Sequence, residues 1–179
     1  MTFESAQPAN QKKVHGKFLT FMVSKERYGI DILMVQEIIG VTNITTVPRC
    51  PEHMKGVINL RGKIIPVMDL RLKFGIEPIP YNERTCIIVV HLSMAGQTIP
   101  IGVIVDTVLE VIDFAEAEVE PSPNYGQNLR TGFVLGIGKR DSIVNILIDI
   151  EQVISQSGSS QHEGGAQSLE ELASGTSHP

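Results

Sequence analysis

Gly56-Val57-Ile58-Asn59-Leu60-Arg61-Gly62-Lys63-Ile64-Ile65-Pro66-Val67-Met68-Asp69 reads as two apolar runs split by a polar turn that carries a single arginine. Val57 to Leu60 and Lys63 to Leu70 have strand length and branched side chains, and Arg61-Gly62 supplies turn chemistry between them. The pattern predicts a hairpin with Arg61 at its exposed tip. An arginine there either solvates the turn or meets a carboxylate, and Glu37 is the candidate partner.

Working outward, most of the chain continues the β pattern. Phe18 to Val23 and Tyr28 to Ile32 are short strands around a turn at Ser24 to Arg27, and Leu33 to Ile39 is one helical turn or a bent strand. Val41 to Pro48 reads as a loop leading to an edge strand, and Pro51 to Lys55 as a helical turn with proline at its first position. Leu70 to Phe74 is a short helix stopped by Gly75, followed by a link from Pro78 to Glu83. Thr85 to Leu92 and Thr98 to Val105 are nearly continuous apolar runs, as in strands buried on both faces, with Ser93 to Gln97 as their loop. Val108 to Ile112 is a further strand, and Pro121 to Gln127 is rich in turn residues. A last hairpin, Gly132 to Gly138 and Ser142 to Ile148, turns around Lys139-Arg140-Asp141, and Asp149 is placed to cap a final helix from Ile150. Residues 1–16 are expected to be a flexible arm, residues 17–156 the folded domain, and residues 157–179, rich in Gly, Ser, Gln and His, a disordered tail.

Composition excludes several function classes. Hydrophobic residues make up 42% and charged residues 20% of the 179, and the formal net charge is -5. That balance argues against nucleic acid, which needs a concentrated basic surface. No apolar run reaches membrane-spanning length, and Met1 to Lys13 lacks the apolar middle of a secretion signal. Cys50 and Cys86 are the only cysteines, and both are expected to be reduced.

The chain repeats itself. Tyr28-Gly29-Ile30, Ile32, Val35, Glu37, Ile38 and Ile39 align with Ile101-Gly102-Val103, Val105, Val108, Glu110, Val111 and Ile112. Further on, Gly56 aligns with Gly132, and Val67-Met68-Asp69-Leu70 with Leu147-Ile148-Asp149-Ile150. Chance likeness between β-rich segments competes with this reading, but the conserved order favours two small β-barrels packed together, because closure removes the edges that many short strands would expose.

Candidate chemistry is sparse. Cys50 and His53 stand three residues apart, but a metal site needs three or four ligands and no second cluster exists. Gly136-Ile137-Gly138-Lys139 lacks the spacing of a phosphate loop and leads into a strand rather than a helix. No serine, histidine and aspartate fall in a catalytic order. Asp31, Asp69, Asp106 and Asp149 border strands and read as turn formers and helix caps. The expectation is a protein with no catalytic residues, no metal and no cofactor.

The ordered series through Tyr28-Gly29-Ile30-Asp31-Ile32, Val35-Gln36-Glu37-Ile38, Asn59-Leu60-Arg61-Gly62, Ile65-Pro66-Val67, Asp69-Leu70, Val105-Asp106, Pro121-Ser122-Pro123 and Gly136-Ile137-Gly138 resembles the CheW family of bacterial chemotaxis coupling proteins. The resemblance covers about Lys17 to Ile154. It implies a mainly β fold of two intertwined five-stranded SH3-like barrels related by a pseudo-twofold, with few short helices. It also implies a cytoplasmic, non-enzymatic adaptor recruited to membrane-associated receptor clusters and assembled in arrays, without a receiver or kinase module of its own. Its partners would be the cytoplasmic tips of chemoreceptors and the regulatory domain of a CheA-type histidine kinase. By the same resemblance, Ile32, Val35, Glu37, Gly56, Arg61, Cys86 and Ile87 would line a receptor-binding groove between the barrels. Glu37 and Arg61 would form a salt bridge there, Asn59 and Gly62 would shape the hairpin turn, and Gly56 would let a receptor helix come close. A non-chemotactic chemosensory output is the alternative, and a small ligand-binding or enzymatic barrel using Cys50, His53 and the inter-barrel cleft is the remaining one.

Overall fold

The computed structural model describes residues 14–122 and 132–156, and places in them eleven strands and two short helices. The expected tail, most of the expected arm and the turn-rich stretch beyond Ser122 lie outside the described residues. In chain order the elements are β1 (Gly16–Val23), β2 (Glu26–Asp31), β3 (Val35–Gly40), β4 (Met54–Leu60), β5 (Lys63–Asp69), α1 (Leu70–Lys73), β6 (Cys86–Met94), β7 (Gln97–Val105), β8 (Thr107–Phe114), β9 (Val119–Glu120), β10 (Val134–Arg140), β11 (Ile143–Ile148) and α2 (Ile150–Ser155). The first sheet runs β3-β6-β7-β5-β4 and the second β8-β1-β2-β11-β10-β9. The fold is therefore mainly β, as expected.

The repeat is real, and its strands are exchanged. Each sheet takes a hairpin from one repeat (β1-β2 or β6-β7). The other repeat supplies three strands (β3, β4, β5) to the five-stranded first sheet and four (β8 to β11) to the six-stranded second, which exceeds the expected five by the short β9. The two sheets reproduce each other's register. Gly102 of β7 lies parallel beside Val67 of β5, and Gly29 of β2 lies parallel beside Leu147 of β11. Both glycines are held by packing: a Cβ at Gly102 would meet Ile87 Cγ2 at 2.8 Å, and one at Gly29 would meet Leu147 Cδ2 at 2.8 Å. The bulge between Met54 and Gly56 recurs between Val134 and Gly136. The partner of Gly56 in the repeat is thus Gly136, not Gly132, because the bulge fixes the register where sequence order alone could not.

Three local expectations are corrected. Pro51 to Lys55 is not helical: one turn, with Met54 N donating to Pro51 O at 2.9 Å, leads straight into β4. The β6-β7 connection is only Ala95-Gly96, both at positive φ, with the strands running on through Met94 and Gln97. The last hairpin turns at Asp141-Ser142, one residue later than read, since Arg140 still pairs with Ile143. The ambiguous Leu33 to Ile39 segment holds both readings, a 3-10 turn at Ile32–Met34 followed by β3. Both helices are capped as expected. Asp69 accepts from Arg71 N at 2.9 Å, and Asp149 accepts from Glu151 N at 3.1 Å and Gln152 N at 3.3 Å.

The core has three parts because the alternating strand faces do. Ile88, Val90, Val103 and Met68 of the first sheet meet Leu19, Phe21, Ile30 and Ile148 of the second in one large cluster. The opposite face of the first sheet gathers Ile58, Ile65, Val67, Ile87, Val89 and Ile104, and that of the second gathers Phe18, Ile112, Phe114 and Leu147. Polar ties hold the junctions. Asp106, between β7 and β8, accepts from Ser24 N at 2.7 Å and from Arg71 Nε and Nη2, both at 2.7 Å, while Arg71 Nη1 donates to Glu77 O at 2.9 Å. Tyr81 anchors the link before β6 by donating to Asp69 Oδ2 at 2.8 Å, and burial, with this bond second, raises its phenol pKa.

Candidate functional site

Arg61 and Gly62 occupy the two-residue turn between β4 and β5, with φ of 51° and 83°. Positive φ at both positions suits the twist of a tight hairpin, and Asn59 Oδ1 accepting from Gly62 N at 2.9 Å holds the turn. The Arg61 side chain is 72% exposed, and it reaches β3 of the same sheet rather than solvent alone. Its Nη1 and Nη2 donate to Glu37 Oε1 and Oε2, each at 2.7 Å, with Glu37 only 19% exposed. Two parallel bonds fix the plane of both groups.

The β3 bulge between Val35 and Glu37 sets that geometry. Beyond it, Glu37 takes the half-buried side of the strand while Ile38 faces solvent, the reverse of an ordinary amphipathic strand. Leu33, in the 3-10 turn just before, is 85% exposed, and Ile64 beside the hairpin tip is also exposed. A shallow recess of about 280 Å³ adjoins the arginine, lined by Gln36, Leu60, Lys63, His91 and Thr98. The apolar exposure at Leu33, Ile38 and Ile64 was missed from sequence. The signal available was the adjacent Glu37-Ile38 pair, where one residue must break the strand's polarity.

The other expected groove residues divide. Ile32, Val35 and Cys86 are half-buried and pack against the cluster between the sheets. Cys86 Sγ donates to Arg84 O at 3.2 Å. Ile87 is fully buried against Gly102 and cannot line a surface groove. Gly56 is also buried. At φ +138° its missing Cβ would fall 2.0 Å from Thr45 O, so the close backbone approach it permits is to its own chain and not to an incoming helix.

Nothing among the described residues assembles a catalytic or metal centre. Cys50 is exposed, both cysteines are free thiols, and no group of three His, Cys, Asp or Glu converges. His53 is held below its usual pKa by burial and then by Lys73, with no acid or thiol partner.

The hydrogen bonds from Arg61 lower the Glu37 pKa from 4.5, and Glu37 in turn raises that of Arg61. A carboxyl lowered on folding contributes stability above its unfolded pKa and loses it as pH falls through the folded one. The pair is therefore expected to persist at pH 5. In a carboxyl NMR titration, the Glu37 midpoint should lie below 4.5 and move up toward it in Arg61→Gln. An unmoved midpoint would mean that the bridge does not form in solution.

A family model described as CheW-like domain matches residues 17–158. The chain belongs to the CheW family. It is 40% identical over 139 residues to the chemotaxis protein CheW of Klebsiella aerogenes, covering 78% of this chain and 81% of that one. The crystal structure of the scaffolding protein TtCheW from Thermoanaerobacter tengcongensis superposes with a TM-score of 0.69 at 39% identity, over 81% of this chain and 96% of that one. Protein FrzA of Myxococcus xanthus is 29% identical over 129 residues, covering 72% of this chain and 78% of that one. CheW proteins are scaffolds and adaptors in chemotaxis signalling and not enzymes, in keeping with a site made of an ion pair and exposed apolar side chains. No helix among the described residues is long and apolar enough to cross a membrane.

Proposed function

We propose that this chain couples the cytoplasmic tips of chemoreceptors to the regulatory domain of a CheA-type histidine kinase, within membrane-associated receptor arrays. The receptor-contacting surface is built on the Glu37–Arg61 pair and flanked by Ile32 and Val35. One observation carries the reading. The molecule repeats its hairpins, but the place of Arg61 is taken by Asp141 in the second sheet, opposite Glu110 in place of Glu37. Only one of the two related hairpins can form the bridge, so a single oriented surface arises on a pseudo-symmetric body. Receptor state would then bias the kinase through contacts that differ between states.

The test is a pull-down with a receptor cytoplasmic fragment and with the kinase regulatory domain, separately and together. Arg61→Glu and Glu37→Arg should each weaken receptor capture at least about tenfold, and the double reversal should recover part of it. Normal capture by both single variants would overturn the site. A non-chemotactic output is the second reading, favoured by the similarity to FrzA, whose name specifies no chemotaxis role. Receptor and kinase capture without any effect of deletion on chemotaxis would select it.

A further inference from the structure

The two sheets share register but not interior. The face of the first sheet turned away from the second carries Ile58, Ile65, Val89 and Ile104, all buried. At the corresponding registers the second carries Gly138, Asn145, Thr20 and Asp31. Phe114 fills the space over Gly138, where a Cβ would lie 2.8 Å from the ring, and Phe18 meets Phe114 edge-on with centroids 6.1 Å apart. Thr20 is satisfied, donating to Glu110 O at 2.7 Å. Asn145 is not: it is fully buried, and neither its amide nitrogen nor its oxygen has a hydrogen-bond partner among the described residues. A cleft of about 590 Å³ lined by Phe18, Asp31, Val119 and Val134 opens on this same sheet.

The fastening differs as well. Leu60 at the end of β4 packs into the first sheet's cluster, whereas its counterpart at the end of β10 is Arg140. Arg140 Nη2 donates to Asp113 O on β8 at 2.6 Å and to Glu118 Oε1 at 2.7 Å. Its Nε donates to Glu118 Oε2 at 3.1 Å, and the guanidinium lies 5.5 Å from the Phe114 centroid. This one side chain joins β8 and β10, which stand at opposite sides of the sheet order. At this position an apolar contact in the first sheet is replaced by an ionic latch in the second, and the first sheet has its Glu37–Arg61 pair in addition to the apolar contact.

We propose that the second sheet is the compliant half of the molecule, and that it opens at the β8–β10 seam as a local unit before the first sheet does. The central strands β1, β2 and β11 remain fastened by the cluster between the sheets. Regions with few buried apolar contacts and exposed ties open first. The pseudo-symmetry supplies an internal control, since the first sheet's β3 and β4 correspond to β8 and β10, with β9 flanking β10 where β4 has the single Thr45 bridge.

Amide hydrogen exchange on the full chain tests this. Amides of β8 and β10 should exchange at least about tenfold faster than their counterparts in β3 and β4. Arg140→Gln should accelerate β8 and β10 alone. Ile65→Val should accelerate only first-sheet amides, about three- to tenfold, because the first sheet stays intact when the second opens. Asn145→Val removes the unpartnered amide and should slow β8 and β10 about tenfold. Equal protection of the two seams, or Ile65→Val accelerating both, would show one cooperative unit and overturn the proposal. Faster exchange in Asn145→Val would overturn its packing basis.

Discussion

Gly56→Ala is expected to lose roughly 3 kcal/mol of stability, read from urea unfolding, because a non-glycine residue is strained at this backbone conformation and would also strike a carbonyl. The φ of +138° is one that L residues rarely adopt, and the new Cβ would sit 2.0 Å from Thr45 O. Thr45 cannot simply retreat, since it exchanges two 2.9 Å backbone bonds with Val57. Gly136→Ala is the matched comparison. Its nearest neighbours would be Val119 Cγ1 at 2.8 Å and Glu120 O at 2.9 Å, the first of them a side chain that can turn, so the loss should be smaller. Equal losses would mean that the backbone strain at Gly56 is not what matters. The same geometry removes bulky substitution at Gly56 as a clean probe of partner docking, because its effects would begin with the fold.

Asp106→Ala should cost roughly 2–3 kcal/mol by the same measurement. Its carboxylate accepts the Ser24 amide and both nitrogens of a bidentate Arg71, and it thereby ties the β1-β2 turn to α1 across the junction of the two sheets. Removing it leaves a guanidinium that is 12% exposed without its countercharge. Arg71→Lys should lose much of the same stability even though charge is kept, since an ammonium cannot reproduce the two-point contact or the third bond to Glu77 O. Full stability in Arg71→Lys would reduce the tie to a simple charge pair.

Asp106 also shows where sequence reading stopped. Its sequence context points only to a turn former or cap, a local role, because a lone aspartate after a strand carries no mark of a partner 35 residues away. Asp69 and Asp149 were legible as helix caps because capping is local: the acceptor and the amides it serves lie within three residues. Glu37 and Arg61 lie between these cases. An arginine at a hairpin tip needs solvent or a carboxylate, which makes Glu37 a candidate, and the resemblance then implies the bridge before any geometry does.

Strand positions, the capped helices, the hairpin tip at Arg61 and the existence of a repeat were set by local features: alternation, turn residues and ordered motifs, all of which act over a few residues. The exchange of hairpins between repeats was not legible, because pairing β1-β2 with β11 or with β5 satisfies the same alternation. Nor was the burial of Ile87, the self-contact of Gly56, the exposure of Leu33 and Ile38, or the unpartnered Asn145. Each of these depends on what a distant strand brings to the same point in space, and a one-residue bulge reverses which side chain faces inward. The amino-acid pattern determined the family and the elements. The tertiary structure decided which surfaces are free, because exposure is a property of the whole packing and not of any segment.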